Sequence, residues 1–378
     1  MAIKKLTTLC IVGLVLFSLA TNGLCLEAYN HNKTTNTSKP RWMTSLKDSA
    51  RLNQLSIPGT HDSIAYTFGG DIAYAQSMNL ETQLNSGIRY LDIRLKCKDK
   101  VFVIKDGLFG FHGIANQNIT FNAILDTIGN FLKNNPKEVV FARIKNENGG
   151  SEKDAACDSQ HRYKTFFDVF SAYYDSSYWD VFWSPESEIS NPTLGELRGK
   201  LVVMADFYGH ISRNFGLRYN SGWHIQDEYH LASNWDLYKK WKYVKRHLEE
   251  ARNAPQKTER GLFINYLSGS GGSFPYFVAS GKSSPKNGAP RLSTGHVECI
   301  NKGGIYPEFP RVACILALAC GKSKSSQKRC TIAFEGTNVM TWHWLNNNYT
   351  DYTGIVVMDF PGGDLINSII GVNDHTLR

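Results

Sequence analysis

The sequence predicts an α/β fold, a distorted or incomplete (β/α)8 barrel of TIM type in a single domain, on three observations. About eight short β-branched or apolar runs recur along the chain, at 54–58, 90–95, 101–104, 139–145, 201–206, 223–226, 262–267 and 355–358. Each run ends in polar residues of the kind that do chemistry. Stretches with helical spacing separate most of them, which is the pattern of a parallel barrel. The second and third runs lie only a few residues apart, so the alternation is imperfect and the barrel is expected to be irregular.

Taken in order, residues 1–25 read as a signal peptide. Lys4 and Lys5 open it, Leu9 to Ala20 are apolar, and Ser18-Leu19-Ala20 fits a small-x-small cleavage pattern, with a second option near Cys25. The apolar run is too short to span a bilayer comfortably. Residues 26–40 are rich in Asn, Thr and Ser and are expected to form a flexible N-terminus. A barrel spanning 41–378 follows. Residues 121–134 carry apolar positions 121, 124, 125, 128, 131 and 132 at helical spacing, and Asn134-Asn135-Pro136 stops that helix. Residues 233–251 form a second helix candidate. A long section, 268–350, precedes the last run; it opens on the Gly/Ser-rich segment 268–273, read as a flexible turn because no P-loop lysine follows.

The chain of 378 residues is 42% hydrophobic, 20% charged and 12% aromatic, ample for a large core. Its formal net charge of +8 falls to +6 when Lys4 and Lys5 leave with the leader. No dense Lys/Arg block or basic stripe with interleaved aromatics exists, which argues against a nucleic-acid binder. The mild basic balance is compatible with anionic lipid surfaces. Beyond the leader stand Cys97, Cys157, Cys299, Cys314, Cys320 and Cys330, an even set that reads as disulfides in a secreted, extracellular chain. Six cysteines allow 15 pairings. Four of them crowd into 299–330, so that segment is expected to be a stapled insertion. Sequons at Asn32, Asn36, Asn118 and Asn348 permit N-glycans.

The chemistry-bearing motifs are Ser56-Ile57-Pro58-Gly59-Thr60-His61-Asp62-Ser63, Arg89-Tyr90-Leu91-Asp92-Ile93-Arg94-Leu95 and Phe111-His112-Gly113. In a parallel barrel the C-terminal strand ends gather the active site. That rule brings together His61 and Asp62, Asp92 and Arg94, His112 after a third strand, Lys145 and Glu147, Asp227 and Tyr229, and Asp359. Two histidines, an arginine and buried carboxylates form a kit for acid–base work on a phosphodiester: one histidine takes a proton, the other gives one, and the guanidinium holds the phosphate. The remaining histidines, among them His161, His210, His247 and His375, receive no role. Two aromatic loops, Ile64–Phe68 and Phe274–Val278, leave strand ends at the same face, and Phe68 and Phe274 are expected to touch a membrane.

These motifs, joined by Val357-Met358-Asp359-Phe360 and taken in this order over roughly residues 41–365, resemble the bacterial-type phosphatidylinositol-specific phospholipases C, secreted relatives of the catalytic X domain of eukaryotic phosphoinositide phospholipases. The resemblance implies that His61 is the general base, His112 the general acid and Arg94 the phosphate ligand. It implies that Asp359 orients the base, that Asp62 and Asp92 support the pair, and that Lys145, Glu147, Asp227 and Tyr229 line the inositol pocket. The implied reaction splits phosphatidylinositol, or a glycosylated inositol lipid anchor, into diacylglycerol and inositol 1,2-cyclic phosphate. The eukaryotic relatives use calcium; here Arg94 stands in the motif and would repel an ion, so no cofactor or metal is expected. One departure concerns the head group: Met204-Ala205-Asp206-Phe207 stands where a family strand ends in an inositol-contacting arginine. A monomer acting on a peripheral membrane surface is expected.

Two other classes compete. A metal-dependent glycerophosphodiesterase or sphingomyelinase-D-like barrel would need an acidic cluster near the second strand end, where Arg94 follows Asp92. An inactive lipid- or glycan-binding module is opposed by the two intact histidines.

Overall fold

The computed structural model describes residues 27–97, 107–147, 157, 165–176, 178–185, 189–209, 213–220, 222–254, 261–299, 306–316, 328–375 and 377. The leader at 1–25, the run at 101–104 and Cys320 lie outside them. No helix among the described residues is long and apolar enough to cross a membrane.

Eight parallel strands curl into an incomplete barrel: β1 (Ile57–Thr60), β2 (Tyr90–Cys97), β5 (Val140–Asn146), β6 (Leu201–Asp206), β7 (Gly216–Arg218), β8 (His224–Gln226), β10 (Phe263–Tyr266) and β15 (Ile355–Met358). Their order is β7-β6-β5-β2-β1-β15-β10-β8, so the hydrogen-bonded ladder is open between β7 and β8. The strands read as apolar runs because both faces are buried. In β5, Val140, Ala142 and Ile144 alternate with Phe141, Arg143 and Lys145. One register of the pleat is apolar as far as Ile144, and the other delivers charge to the barrel interior.

His112 does not follow a third parallel strand. It ends β3 (Leu108–His112), which with β4 (Ala115–Thr120) forms an antiparallel hairpin added to β2. Only residues 98–107 separate β2 from β3, fewer than the dozen or more that a parallel crossover needs, and antiparallel pairing is what such a connection permits. The eighth parallel strand is β7, Gly216-Leu217-Arg218, whose glycine and arginine gave it no apolar run to read.

Helix α2 (Phe121–Asn134) has the bounds its spacing predicts. The Thr120 hydroxyl accepts from the Ala123 N–H and caps it, a contact worth roughly 1 kcal/mol. The second predicted helix opens as a 3₁₀ turn at Asn234–Asp236, capped by Ser233, and continues as α5 (Leu237–Asn253). Among the described residues the other α-helices are α1 (Leu80–Ser86), α3 (Phe166–Tyr174), α4 (Leu194–Leu197), α6 (Pro275–Ser280), α7 (Thr337–Asn347) and α8 (Gly363–Gly371).

The section before β15 contains a three-stranded antiparallel sheet, β12 (Ser293–Cys299)-β14 (Lys328–Ala333)-β13 (Arg311–Leu316). Cys314–Cys330 crosslinks two of its strands, and Cys299 is also disulfide-bonded. Cys97–Cys157 ties the end of β2 to the segment beyond β5. The Gly/Ser segment is not a free turn: β11 (Ser270–Gly271) pairs with β9 (His230–Leu231) and so joins the loops after β10 and β8.

At the N-terminal end of the barrel, Arg89 and Glu138 form a fully buried pair at 2.8 Å. Arg89 also donates to the carbonyls of Leu84, Ile88, Lys39 and Pro40, while Glu138 accepts from the backbone N–H groups of Met43 and Thr44. The described part of the N-terminal segment, 27–40, departs from the loose arm that its composition predicts. Ala28, Tyr29 and Asn30 are buried, and Tyr29 forms a β-bridge with Pro361. Tyr29, Asn30 and Thr37 bond through their side chains to Pro285, Asn287 and Asn367, far along the chain.

Candidate active site

The site is built where β1, β2, β5 and β15 end. His61 directly follows β1, and its N–H donates to the Met358 carbonyl at 2.9 Å. Gln76 Nε2 donates to the carbonyls of His61 and Met358, at 2.7 and 2.9 Å, and fixes the loop from outside. Asp62 takes a left-handed φ of 41°. An aspartate tolerates that conformation better than most residues, and the turn aims the His61 ring inward.

The two ring nitrogens of His61 have different partners. Nδ1 meets Asp359 Oδ1 at 2.8 Å, and Nε2 meets Arg94 Nη2 at 2.8 Å. A guanidinium can only donate, so Nε2 is the acceptor and Nδ1 carries the proton to Asp359. Burial, and then Arg94, hold the His61 imidazole well below its usual pKa of 6.5. Neutral, with its lone pair on the inner nitrogen, His61 has the state a general base requires.

Arg94 is surrounded by carboxylates. Its Nε lies 2.8 Å from Asp62 Oδ1, its Nη2 3.0 Å from Asp92 Oδ2, and its Nη1 3.3 Å from Glu147 Oε1. The planar fork is fixed on several sides at once, which a lysine would not achieve. Across the cavity, His112 Nδ1 donates to the Ala73 carbonyl at 2.6 Å and its Nε2 lies 3.1 Å from Asp62 Oδ2. The His61 and His112 rings are 6.3 Å apart and nearly perpendicular. Asp62, buried and shared between Arg94 and His112, stands beneath the gap.

A cavity of about 280 Å³ opens over these groups. It is lined by His61, Arg94, His112, Lys145, Glu147, Asp227, Tyr229 and Asp359, so the structure gathers the predicted pocket residues around one space. Asp92 lies beneath it. Phe68 and Phe274 do not enter it and stand in the loops outside, 57% and 45% exposed. Two exposed side chains that the sequence did not single out accompany them: Ile114 at 97%, beside the His112 turn, and Ile72 at 73%, in the loop after Phe68.

Several site residues were missed. Arg143, two positions before Lys145 on β5, reaches Asp206 Oδ2 at 2.6 Å, Tyr266 Oη at 3.1 Å and Asp92 Oδ1 at 3.5 Å, and stacks over Tyr219. Asp206 is therefore not an isolated carboxylate but half of an ion pair with a guanidinium from the neighbouring strand. The period-2 spacing of Arg143, Lys145 and Glu147 puts Arg143 on the face of the predicted pocket residues, though nothing local shows its partners. Tyr266 bonds Tyr90 and Tyr219 through its hydroxyl and sets its ring edge-on to His61. Ser268 of the Gly/Ser segment lines the cavity. Lys240 of α5 is buried behind it, donating to the Tyr266 carbonyl and to Gln226, and burial pulls its pKa down to about 8. No sequence pattern pointed to Lys240, and Ser268 was read only as part of a flexible turn.

Comparison with known proteins agrees with this geometry. The PI-PLC X family pattern matches residues 49–206. The 1-phosphatidylinositol phosphodiesterase of Listeria monocytogenes is 31% identical over 276 residues, spanning 69% of this chain and 78% of the relative. That of Staphylococcus aureus strain Newman is 29% identical over 264 residues, spanning 62% and 77%. The solved phosphatidylinositol-specific phospholipase C of Listeria monocytogenes superimposes with a TM-score of 0.59 at 25% identity, covering 89% of this chain and 99% of that one. A barrel with its histidine pair at the strand ends, and a relative matched over most of its length, place the chain in the PI-PLC X family of phospholipase C-type phosphodiesterases.

Proposed function

We propose that the protein cleaves phosphatidylinositol into diacylglycerol and inositol 1,2-cyclic phosphate by general base and general acid catalysis without a metal ion. The observation that carries this reading is the pair of bonds on His61, Nδ1–H to Asp359 and Nε2 facing Arg94, with His112 opposite. When a phosphate enters, Arg94 turns its donors to the phosphate oxygens and frees Nε2. The inositol 2-hydroxyl gives its proton to Nε2, and its oxygen bonds to phosphorus. The bond from phosphorus to the glycerol oxygen breaks, and that oxygen takes the proton from His112. The nucleophile belongs to the substrate, so alignment and a base suffice. Asp359 stabilises the charged imidazole, and each proton-transfer group contributes ~10²–10⁴-fold.

The electrostatics favour a metal-free route. Asp62 and Asp92, the carboxylates best placed to attract a cation, are paired to Arg94, whose charge opposes a second one. Lys145, Glu147, Asp227 and Tyr229 supply donors and acceptors for ring hydroxyls. Phe68, Ile72, Ile114 and Phe274 offer apolar contact to a bilayer; one solved Staphylococcus aureus relative was studied for modulation of its membrane binding. Disulfides accord with a secreted enzyme.

The test is to incubate the protein with phosphatidylinositol vesicles in EDTA and follow the products by phosphorus NMR, beside His61→Ala. Cyclic phosphate from the wild type and a loss of at least ~10³-fold in the variant are expected. Activity that appears only after calcium or magnesium is returned would overturn the metal-free mechanism.

A further inference from the structure

We propose that residues 27–37 act as a positioning strap for the catalytic turn Asp359–Phe360, and that Gly362 is the residue that admits the strap. The inference rests on reading Asp359 as the orienting partner of His61.

The first observation is the turn itself. Phe360, immediately after Asp359, has a φ of 46°. A bulky side chain is an outlier in that region and persists only where the surroundings enforce it. The strap supplies the enforcement. The Asn30 N–H donates to the Phe360 carbonyl at 3.0 Å, and the His31 ring lies 4.8 Å from the Phe360 ring. On the other side, Phe360 N–H donates to the Ala75 carbonyl at 3.0 Å and Asn338 Nδ2 to the Asp359 carbonyl at 2.8 Å. Pairing continues past the turn: Gly362 N–H donates to Ala28, and Asp364 N–H to Glu27, each at 3.1 Å.

The second observation concerns the glycines of Pro361-Gly362-Gly363. Gly362 has an ordinary φ of −91°, which any residue can adopt. Its backbone does not demand glycine; the strap does. A Cβ on Gly362 would lie 1.9 Å from the Glu27 carbonyl oxygen, and one on Gly363 would lie 2.0 Å from Asn36 Oδ1. The segment after the catalytic aspartate is thus shaped to let the strap cross it.

The third observation is that the strap has its own anchors. The Tyr29 hydroxyl donates to the Pro285 carbonyl at 2.7 Å, and Asn287 Oδ1 accepts from the His31 N–H at 2.7 Å. The strap therefore transmits the position of the loop beyond α6 to the turn that carries Asp359. A small displacement of Asp359 would release the His61 ring from its orientation, and misplacements near 1 Å cost about 10²-fold in rate.

The experiment compares Gly362→Ala, His31→Ala and the double variant Gly362→Ala/Phe360→Asn with the full-length wild type on phosphatidylinositol vesicles. Gly362→Ala is expected to lower kcat at least ~10-fold with KM unchanged, and to shift or erase the downfield proton resonance of His61 Nδ1–H. Asparagine adopts the left-handed region at little cost, so Phe360→Asn should restore much of the kcat. Faster hydrogen exchange over 27–37 in Gly362→Ala with kcat intact would overturn the proposal. So would a loss that Phe360→Asn does not recover. If Gly362→Ala does not fold, His31→Ala decides, with a severalfold fall in kcat supporting the strap and an unchanged kcat refuting it. These outcomes are separate from the catalytic reading, which fails instead if His61→Ala remains active.

Discussion

At the scale of single residues, Arg94 decides the character of the site. It touches three carboxylates and the base, so its substitution changes both phosphate binding and the proton inventory. Arg94→Lys keeps the charge but not the fork, and kcat should fall ~10²–10³-fold, the range seen when one preorganised donor to a developing anion is lost. The pH profile gives a second handle. His61 is held well below its usual pKa by burial first and by Arg94 next. The base works when neutral, so the acid limb of kcat/KM in the wild type should lie below the ordinary histidine range. In Arg94→Gln the positive neighbour is gone, the His61 pKa rises, and the acid limb should move to higher pH; a limb that stays put would show that Arg94 does not tune the base. His61, His112 and Arg94 were legible in the sequence because each sits in a compact motif. Arg143 was not, although it shares a strand face with Lys145. A residue whose partners, Asp206 and Asp92, lie on two other strands gives no local sign of its pairing.

At the scale of elements, base and acid stand on different kinds of structure. His61 belongs to the parallel barrel, and His112 to an antiparallel hairpin. Gln117 of that hairpin accepts from the N–H groups of Thr67 and Phe68, joining it to the aromatic loop after β1. The hairpin and that loop therefore form one rim beside the cavity. Replacing Phe68 and Phe274 by serine should weaken vesicle binding roughly tenfold each, as expected for partial burial of one large apolar side chain. Cleavage of a soluble, short-chain substrate should be unchanged. Sedimentation with phosphatidylinositol-containing vesicles measures the first, and wild-type affinity in the double variant would exclude contact at this rim. Helix α2 was legible to the residue because its apolar stripe and its stop agree. The hairpin was not, since Gly110 interrupts Leu108–His112 and Ala115–Thr120 is mostly polar, so neither segment reads as a strand.

At the scale of the whole molecule, two arginines at opposite ends of the barrel divide the work. Arg94 serves the cavity at the C-terminal end of the barrel, and Arg89, paired to Glu138, locks the opposite end. Glu138→Gln removes one member of that buried pair and should destabilise the protein by ~3–5 kcal/mol. Its kcat, measured at a temperature where it remains folded, should match the wild type; a proportionate loss of kcat would link the floor of the barrel to the site. The α/β class and the incomplete barrel were legible from the recurring runs. The packing of residues 27–40 was not, because polar composition does not distinguish a solvated arm from one whose side chains bond across more than 200 residues, as Tyr29 does to Pro285. The gap between β7 and β8 carries a further implication. Where strands are laddered, a change of length shifts every neighbour's register and is costly. At the gap, Tyr219 and Trp223 meet through their rings rather than through backbone bonds. Asp227 and Tyr229, the wall proposed to face the head group, follow β8 directly. Natural variation can therefore lengthen or reshape that wall without disturbing the fixed pair of histidines, which makes the seam the place where relatives of this enzyme would diverge in the lipids they accept.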